Sequence, residues 1–318
     1  MVATDAVEAI APVSFAALTD HPAVFAEALG ASFARHGFAV VTDHGLAQER
    51  IDAALAAAKA FFALPEAVKR PYHVAGGAGQ RGYTPFGVET AKGAADFDLK
   101  EFWHVGRELP PGHPYRSLMP DNLWPAEVEG FRASELWLFD ALETLGRVLL
   151  RAIADWLRLD SGYFDDAVKM GNSVLRLLHY PPVRGSGPHL RAAPHEDINA
   201  ITLLLGAEQA GLEILGRNGR WLPVNPAPGA VVVNVGDMLA RLTNDVLPST
   251  THRVVNPVGD RRSMPRYSTP FFLHFRPDFV IQTLPACVTD RRPERYLGPI
   301  TADAFLRRRL KEIGLADG

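Results

Sequence analysis

Apolar residues in the first half of the chain recur at helical spacing. Phe25, Leu29 and Phe33 follow Asp20 and Pro22 at steps of four and stop at Gly37, which predicts a capped helix. The apolar run Phe38 to Val41 predicts a short strand, and Ile51, Leu55, Ala58 and Phe62 predict a second helix over 48–62, broken by Leu64-Pro65. Pro71 to Gly93 is rich in Gly and Pro and predicts loop, loosest at Gly76-Gly77-Ala78-Gly79. Between Pro125 and Leu159, the periodic residues Phe131, Leu138, Leu142, Leu145, Leu149, Ile153 and Trp156 predict one long helix with a broad apolar face, backing the whole fold.

Beyond about residue 172 the pattern changes to short apolar runs between turn signals, as in a sandwich or barrel of antiparallel strands. The predicted strands are 173–180, 198–205, 212–215, 221–224, 230–235, 252–256 and 267–275, with Asn218-Gly219 as a hairpin turn because both residues tolerate positive φ. Residues 301–313 predict a last helix whose Arg307-Arg308-Arg309 is a solvated face. With no internal repeat and no clear linker, the helical half should pack on the β half as one unit.

Composition narrows the class of protein. At 47% hydrophobic and 22% charged, the 318 residues are ordinary for a globular chain, and 27 Gly with 25 Pro favour many turns and hence β structure. A net charge of −3 supplies no positive field for nucleic acid. The single cysteine, Cys287, can form neither an internal disulfide nor a multi-cysteine zinc site. The first eleven residues lack the basic and apolar regions of a secretory signal, and no apolar stretch approaches the roughly 20 residues of a membrane span. These features lead us to expect a cytoplasmic, monomeric enzyme or binding protein acting on a small molecule.

Candidate chemistry lies in the β half. In His195-Glu196-Asp197, residues i and i+2 of an extended chain point the same way, so His195 and Asp197 can reach one metal while Glu196 points elsewhere. His252, on another predicted strand, can complete two imidazoles and one carboxylate, the facial ligand set of non-haem Fe(II) oxygenases. On the next strand, Arg266 and Ser268 share a face on which a guanidinium fork and a hydroxyl can hold a carboxylate, and Tyr180 offers a phenolic donor. A dicarboxylate co-substrate would account for the set. His274 and Phe272 share that face by parity and can line the same cavity, or His274 can be a core histidine bonded to backbone. His189 reads as a loop residue, and His44, His104, His113 and His179 show no ligand-like partner.

His195-x-Asp197, Asn234-Val235-Gly236-Asp237, Asn244, His252-Arg253-Val254 and Arg266-x-Ser268 resemble the Fe(II)/2-oxoglutarate-dependent oxygenases of the isopenicillin N synthase-like group. Gly37-Phe38-Ala39-Val40-Val41 with His44-Gly45, Phe61-Phe62-Ala63-Leu64-Pro65, Arg81-Gly82-Tyr83 and Asp98-Leu99-Lys100-Glu101 extend the resemblance over nearly the whole chain. It implies a mixed α/β (α+β) fold, a double-stranded β-helix or jelly roll supported by N-terminal helices. Residues 1–120 would form the N-terminal region, and 121–318 the long helix, jelly roll and C-terminal helix. By the same resemblance His195, Asp197 and His252 would bind iron, Arg266 and Ser268 would hold the distal carboxylate of 2-oxoglutarate, and Tyr83 and Phe102 would approach the substrate. The implied reaction consumes 2-oxoglutarate and O2, releases succinate and CO2 and oxidises a small molecule, by default through hydroxylation. Two departures stand out: Leu178 where many members have Asn two positions before the tyrosine, and Glu196 where Thr is common. The Arg-x-Ser pair also occurs in family oxidases that do not consume 2-oxoglutarate, which makes such an oxidase the alternative. A non-catalytic sensor on the same fold is a second one, less favoured because all three ligands are intact.

Overall fold

In the computed structural model, the described residues are 9–77, 79–88, 98–182, 190–205, 211–257 and 259–312. His189, Ala78, the end of the predicted Gly/Pro loop at 89–93 and Ile313 lie outside them. The strands of the two larger sheets are β1 (Pro12–Ser14), β2 (Phe38–Thr42), β3 (Gly82–Thr84), β4 (Glu101–Gly106), β5 (Val174–Tyr180), β6 (Ala192–His195), β7 (Ile201–Leu205), β8 (Leu212–Leu215), β9 (Trp221–Pro223), β10 (Val231–Val235), β11 (His252–Val254), β12 (Arg266–Ser268) and β13 (Pro270–Leu273). Helices of consequence for the site are α1 (Pro22–His36), α2 (Gln48–Phe62), α3 (Glu66–Lys69), α4 (Phe131–Trp156), α5 (Asp237–Leu242) and α6 (Ala302–Glu312).

A large sheet runs in the order β1-β2-β10-β7-β13-β5-β4-β3, with β12 also on β5, and a smaller sheet runs β6-β11-β8-β9. The mixed fold is as expected, and the strands of the N-terminal region extend the large sheet at both edges. Helices cover the outer face of that sheet. Phe139 of α4 meets Phe271 of β13 edge-on at 5.0 Å, and Phe61 of α2 meets Trp103 of β4 at 4.7 Å. Gly37 ends α1 at φ +67°, where a side chain would be strained, and so turns the chain directly into β2.

Several boundaries differ from the sequence reading, each for a physical reason. The long helix begins at Phe131 rather than near Pro125, because Gly130 adopts φ +75° immediately before it. The predicted strand 198–205 starts only at Ile201, since Asp197 and Asn199 turn their carbonyls onto the backbone N–H groups of Asp237 and Met238. The predicted strand 267–275 is two strands, β12 and β13, whose pairing with β5 continues in one register across Thr269. Strand β4 is absent from the sequence reading: all six of its residues are buried, so it shows no polar alternation to read. Gly82–Thr84 is a strand inside the predicted loop, and β6 is likewise additional. Asn218-Gly219 does close the β8–β9 hairpin, with Gly219 at φ +74°. In α6, Arg309 is not part of a solvated face, because it reaches Asp237 at 3.0 Å.

Glu135 lies inside α4 fully buried, and neither carboxyl oxygen meets a hydrogen-bond partner among the described residues. Burial pushes its pKa well above the ordinary 4.5, so the group is neutral in the fold and ionises on unfolding. Its contribution to stability is therefore greatest below the unfolded pKa and is lost as pH rises through the folded one. Glu135→Met should stabilise the protein near pH 5 by about 1–3 kcal/mol, the cost of a buried unsatisfied group. The gain should be larger near pH 8. Thermal unfolding followed by circular dichroism measures both, and a gain independent of pH would show that Glu135 ionises in place.

Candidate metal centre and co-substrate pocket

His195 ends β6 and pairs across the ladder with His252 of β11, so both imidazoles rise from neighbouring positions on the small sheet. Their rings lie 4.4 Å apart. His195 Nδ1 is 2.7 Å from the Ala193 carbonyl, and His252 Nδ1 is 3.1 Å from that of Thr250. A carbonyl only accepts, so each Nδ1 carries the proton and each Nε2 keeps its lone pair for a ligand. Burial, with the neighbouring His252, lowers the pKa of His195 to about 4, which keeps that ring neutral. Asp197 lies just past the end of β6, yet alternation persists: exposed Glu196 turns to Thr251, whose hydroxyl donates to Glu196 Oε1 at 2.8 Å.

The large sheet holds Asp197. Its Oδ2 accepts from Thr202 Oγ1 at 2.6 Å and from Asn234 Nδ2 at 2.8 Å, while Oδ1 lies 3.9 Å from His252 Nε2. Burial raises the pKa of this carboxylate, but the positive charge either imidazole would carry if protonated, together with the hydrogen bonds from Asn234 and Thr202, outweighs it and holds the group below its ordinary value. Thr202 and Asn234 face each other across β7 and β10, and the same row continues to Phe272 on one side and Phe38 on the other. Phe38 meets the ring of His252 edge-on at 5.4 Å. Gly236 follows because any Cβ there would come within 2.2 Å of the Asn199 carbonyl, and the next residue, Asp237, donates its N–H to the Asp197 carbonyl at 2.7 Å. Asn234-Val235-Gly236-Asp237 thus fixes Asp197 by side chain and by backbone. Asn244 serves a different purpose, tying down the C-terminal segment through the Pro293 carbonyl and the Arg295 N–H.

One donor atom each from His195, Asp197 and His252 lies within 4.8 Å of the others. Two neutral imidazoles with their outer nitrogens already bonded, and a carboxylate with one oxygen already bonded, fit a divalent iron that takes three protein ligands and keeps open positions.

Arg266 pairs across the strands with Tyr180, and Ser268 with Leu178, all four buried. The guanidinium lies 5.2 Å from the centre of the Tyr180 ring and is hydrogen-bonded to its hydroxyl. Strand alternation then brings Arg176, Phe272 and His274 onto the same inner face. The Arg176 guanidinium stands 4.2 Å over Phe102 and 5.4 Å over Phe272, and its Nε donates to His104 Nε2 at 2.6 Å. His104 in turn donates from Nδ1 to the Gly79 carbonyl. His274 is buried beside Asp197, its Nδ1 makes no hydrogen bond among the described residues, and burial lowers its pKa to about 4. Its backbone N–H donates to the Ser173 hydroxyl at 3.2 Å.

Tyr83 is elsewhere. It pairs with Trp103, on the opposite face of β4 from Phe102, packs on Phe61 and donates its hydroxyl to Glu101. Glu101 also binds Lys69 and His179, both at 2.7 Å, so that Tyr83 belongs to a charged cluster on the helix-facing side. The Arg81-Gly82-Tyr83 motif could not reveal which way β3 would turn. Thr202, Arg176 and His104 had no motif to mark them, although Arg176 could have been found from its parity with Leu178 and Tyr180.

A model of the 2OG-Fe(II) oxygenase superfamily matches residues 171–275, and one described as non-haem dioxygenase in morphine synthesis N-terminal matches residues 10–127. A 2-oxoglutarate-Fe(II) type oxidoreductase of Emericella nidulans is 34% identical over 294 residues, 87% of this chain and 81% of that one. The chain belongs to the 2OG-Fe(II) oxygenase superfamily. Among solved structures, a 2OG-Fe(II) oxygenase family protein from Caulobacter crescentus is 58% identical with a TM-score of 0.90, covering 96% of this chain and 99% of that one. A full-length Neurospora crassa protein in complex with alpha-KG and thymine is 30% identical with a TM-score of 0.84, covering 95% and 96%. This oxygenase is therefore an oxidoreductase with a double-stranded β-helix core, using Fe(II), 2-oxoglutarate and O2 on a small-molecule substrate, and the oxidase alternative gives way. No helix among its described residues is long and apolar enough to cross a membrane.

Because Thr202 and Asn234 hold Asp197 Oδ2 and so orient Oδ1 toward the histidines, Thr202→Val should weaken Fe(II) binding about 10–100-fold. Glu196→Thr, which removes only a contact to Thr251, should leave it unchanged. Anaerobic iron titration compares them, and a loss in Glu196→Thr equal to that in Asp197→Ala would mean that Glu196 reaches the metal.

Proposed function

We propose that His195, Asp197 and His252 hold the iron, that Arg266, Ser268 and Tyr180 hold the distal carboxylate of 2-oxoglutarate, and that Arg176, Phe102, Phe272 and His274 receive the substrate. The observation that carries the proposal is the division of the two histidines and the aspartate into a bonded outer side and an unblocked inner side, described above for each ligand. Iron, 2-oxoglutarate and O2 together supply an oxidative decarboxylation, giving succinate and CO2, that is coupled to oxidation of a substrate C–H bond. The chain's own part is to orient and to exclude water. Thr202 and Asn234 keep the carboxylate ligand from rotating, and the buried Arg266 and Tyr180 offer a desolvated anion its hydrogen bonds.

The substrate we propose is a small compound, hydroxylated at carbon, that carries a carbonyl or carboxylate edge. The Arg176 guanidinium lies over both phenyl rings and its Nε is engaged by His104, which restrains the direction of its planar fork. His274 adds a neutral imidazole whose Nδ1 lacks a partner among the described residues, and a buried polar atom of that kind favours a guest that bonds it. Thymine, the molecule in the Neurospora complex, has carbonyl edges of this kind. A screen of cyclic amides and small carboxylates for stimulated succinate release tests the class. Arg176→Gln should raise KM for any positive compound while leaving unstimulated succinate formation unchanged, and equal loss of both would place Arg176 outside the substrate pocket.

For the co-substrate, Arg266→Ala should cost about 2–5 kcal/mol of 2-oxoglutarate affinity, since the carboxylate stays desolvated after its cation is gone. Ser268→Ala should cost about 0.5–1.5 kcal/mol. The metal-to-ligand charge-transfer absorption of anaerobic Fe(II) protein titrated with 2-oxoglutarate reads both. Normal binding by Arg266→Ala would assign the anchor to another cation.

A further inference from the structure

A second guanidinium sits at the Arg266 end of the pocket. Arg191 immediately precedes β6, four residues before His195 and beyond the register shift that β6 makes against β11. It is entirely buried and ranks among the largest side chains that are. Its backbone N–H donates to Asn256 Oδ1 at 3.1 Å, and its Nη2 donates to the Met264 carbonyl at 3.0 Å. Met264 stands two residues before Arg266, so this bond fixes the chain where it turns into β12. Arg191 also lies within electrostatic reach of both Arg266 and Tyr180, and burial, followed by the Arg266 charge, lowers its pKa to about 10. A pKa of that height leaves Arg191 charged at neutral pH.

Surface charge cannot explain a wholly buried arginine of this kind. Two like charges placed together at low dielectric repel, and an anion arriving beside them gains from both. The iron end of the pocket takes the 2-oxo acid group, which every 2-oxo acid shares. What distinguishes 2-oxoglutarate is the carboxylate at the far end, where Arg266, Tyr180 and Arg191 gather.

We propose that Arg191 is a positioning and charge-selecting residue of the co-substrate pocket. It holds the start of β12 so that Arg266 faces inward, and it adds the positive potential that makes the site prefer a dicarboxylate over a 2-oxo acid with an uncharged tail. The proposal rests on the reading of Arg266 as the anchor, and it extends that reading to a residue outside the Arg-x-Ser pair.

The test is a binding measurement. Anaerobic Fe(II) protein is titrated with 2-oxoglutarate and with 2-oxopentanoate, which carries a methyl group in place of the distal carboxylate, and the charge-transfer absorption is followed. Arg191→Gln should weaken 2-oxoglutarate about tenfold and leave 2-oxopentanoate within about twofold of the parent, so that the preference between them falls about tenfold. Arg191→Lys, which keeps the charge and loses the fork, should retain most of that preference. Iron affinity should be the same in all. Equal weakening of both 2-oxo acids would mean that Arg191 only supports the fold, and unchanged 2-oxoglutarate binding would remove it from the pocket; either result overturns the proposal. If Arg191→Gln does not fold, Arg191→Met carries the same comparison with the stem volume kept. Arg266→Gln, titrated in parallel, separates the two readings: unaltered 2-oxoglutarate binding there refutes the anchor itself, whatever Arg191 does.

Discussion

One carboxylate oxygen ties the two sheets together. Asp197 leaves the small sheet just after His195 but is gripped by Thr202 and Asn234 of the large one, at 2.6 and 2.8 Å. A buried carboxylate needs compensation, and here the large sheet supplies a hydroxyl and an amide while the small sheet sets the imidazoles beside its other oxygen. The positions of β7 and β10 are therefore constrained by the chemistry as much as by packing. Strand β10 is buried throughout as Val231-Val232-Val233-Asn234-Val235, and the one polar side chain in that run is the one that Asp197 requires.

The two faces of the large sheet carry separate chemistries. On the inner face stand Arg266, Arg176, Thr202 and Asn234; on the outer face, His179 of β5, Tyr83 of β3 and Lys69 of helix α3 converge on Glu101. Burial raises the pKa of Glu101, but the hydrogen bonds from His179, Lys69 and Tyr83 prevail and keep it low, so it stays ionised inside the helix layer. Tyr267 stacks on His179 at 4.9 Å, between the inward-facing Arg266 and Ser268. The inner residues of β12 and the outer cluster are thus held on opposite faces of the same backbone.

How much of this was legible depended on whether the signal was local. His195-x-Asp197 and Arg266-x-Ser268 are spaced by the two-residue period of a strand, which the sequence displays directly, and His252 was found by its chemistry and motif. Helices with one apolar stripe were readable to within a few residues, whereas β4, buried on both sides, offered no alternation. Tyr83 shows the limit of a motif without a register, since one step along β3 exchanges the inner face for the outer. Thr202 and Arg191 are ordinary residues in the sequence: the local turn into β7 brings Thr202 back to Asp197, and a distant segment at Met264 ties down Arg191.

The strand order has a consequence for how the protein is made. Phe38, which packs against His252, is in a strand that pairs with β10, from the far part of the chain, and β4 must wait for β5, which must wait for β12 and β13. Contacts between such distant segments are slow to form because a long loop has to close before any of them is rewarded. On a ribosome, the N-terminal strands emerge long before their partners exist. Helix α1 can pack on β1 and β2 as they emerge, but α1 and α2 are joined into one layer only when α4 packs on both. The nascent chain thus spends most of its synthesis with unpaired β edges, and His195, Asp197 and His252 come together only once β11 has joined β6.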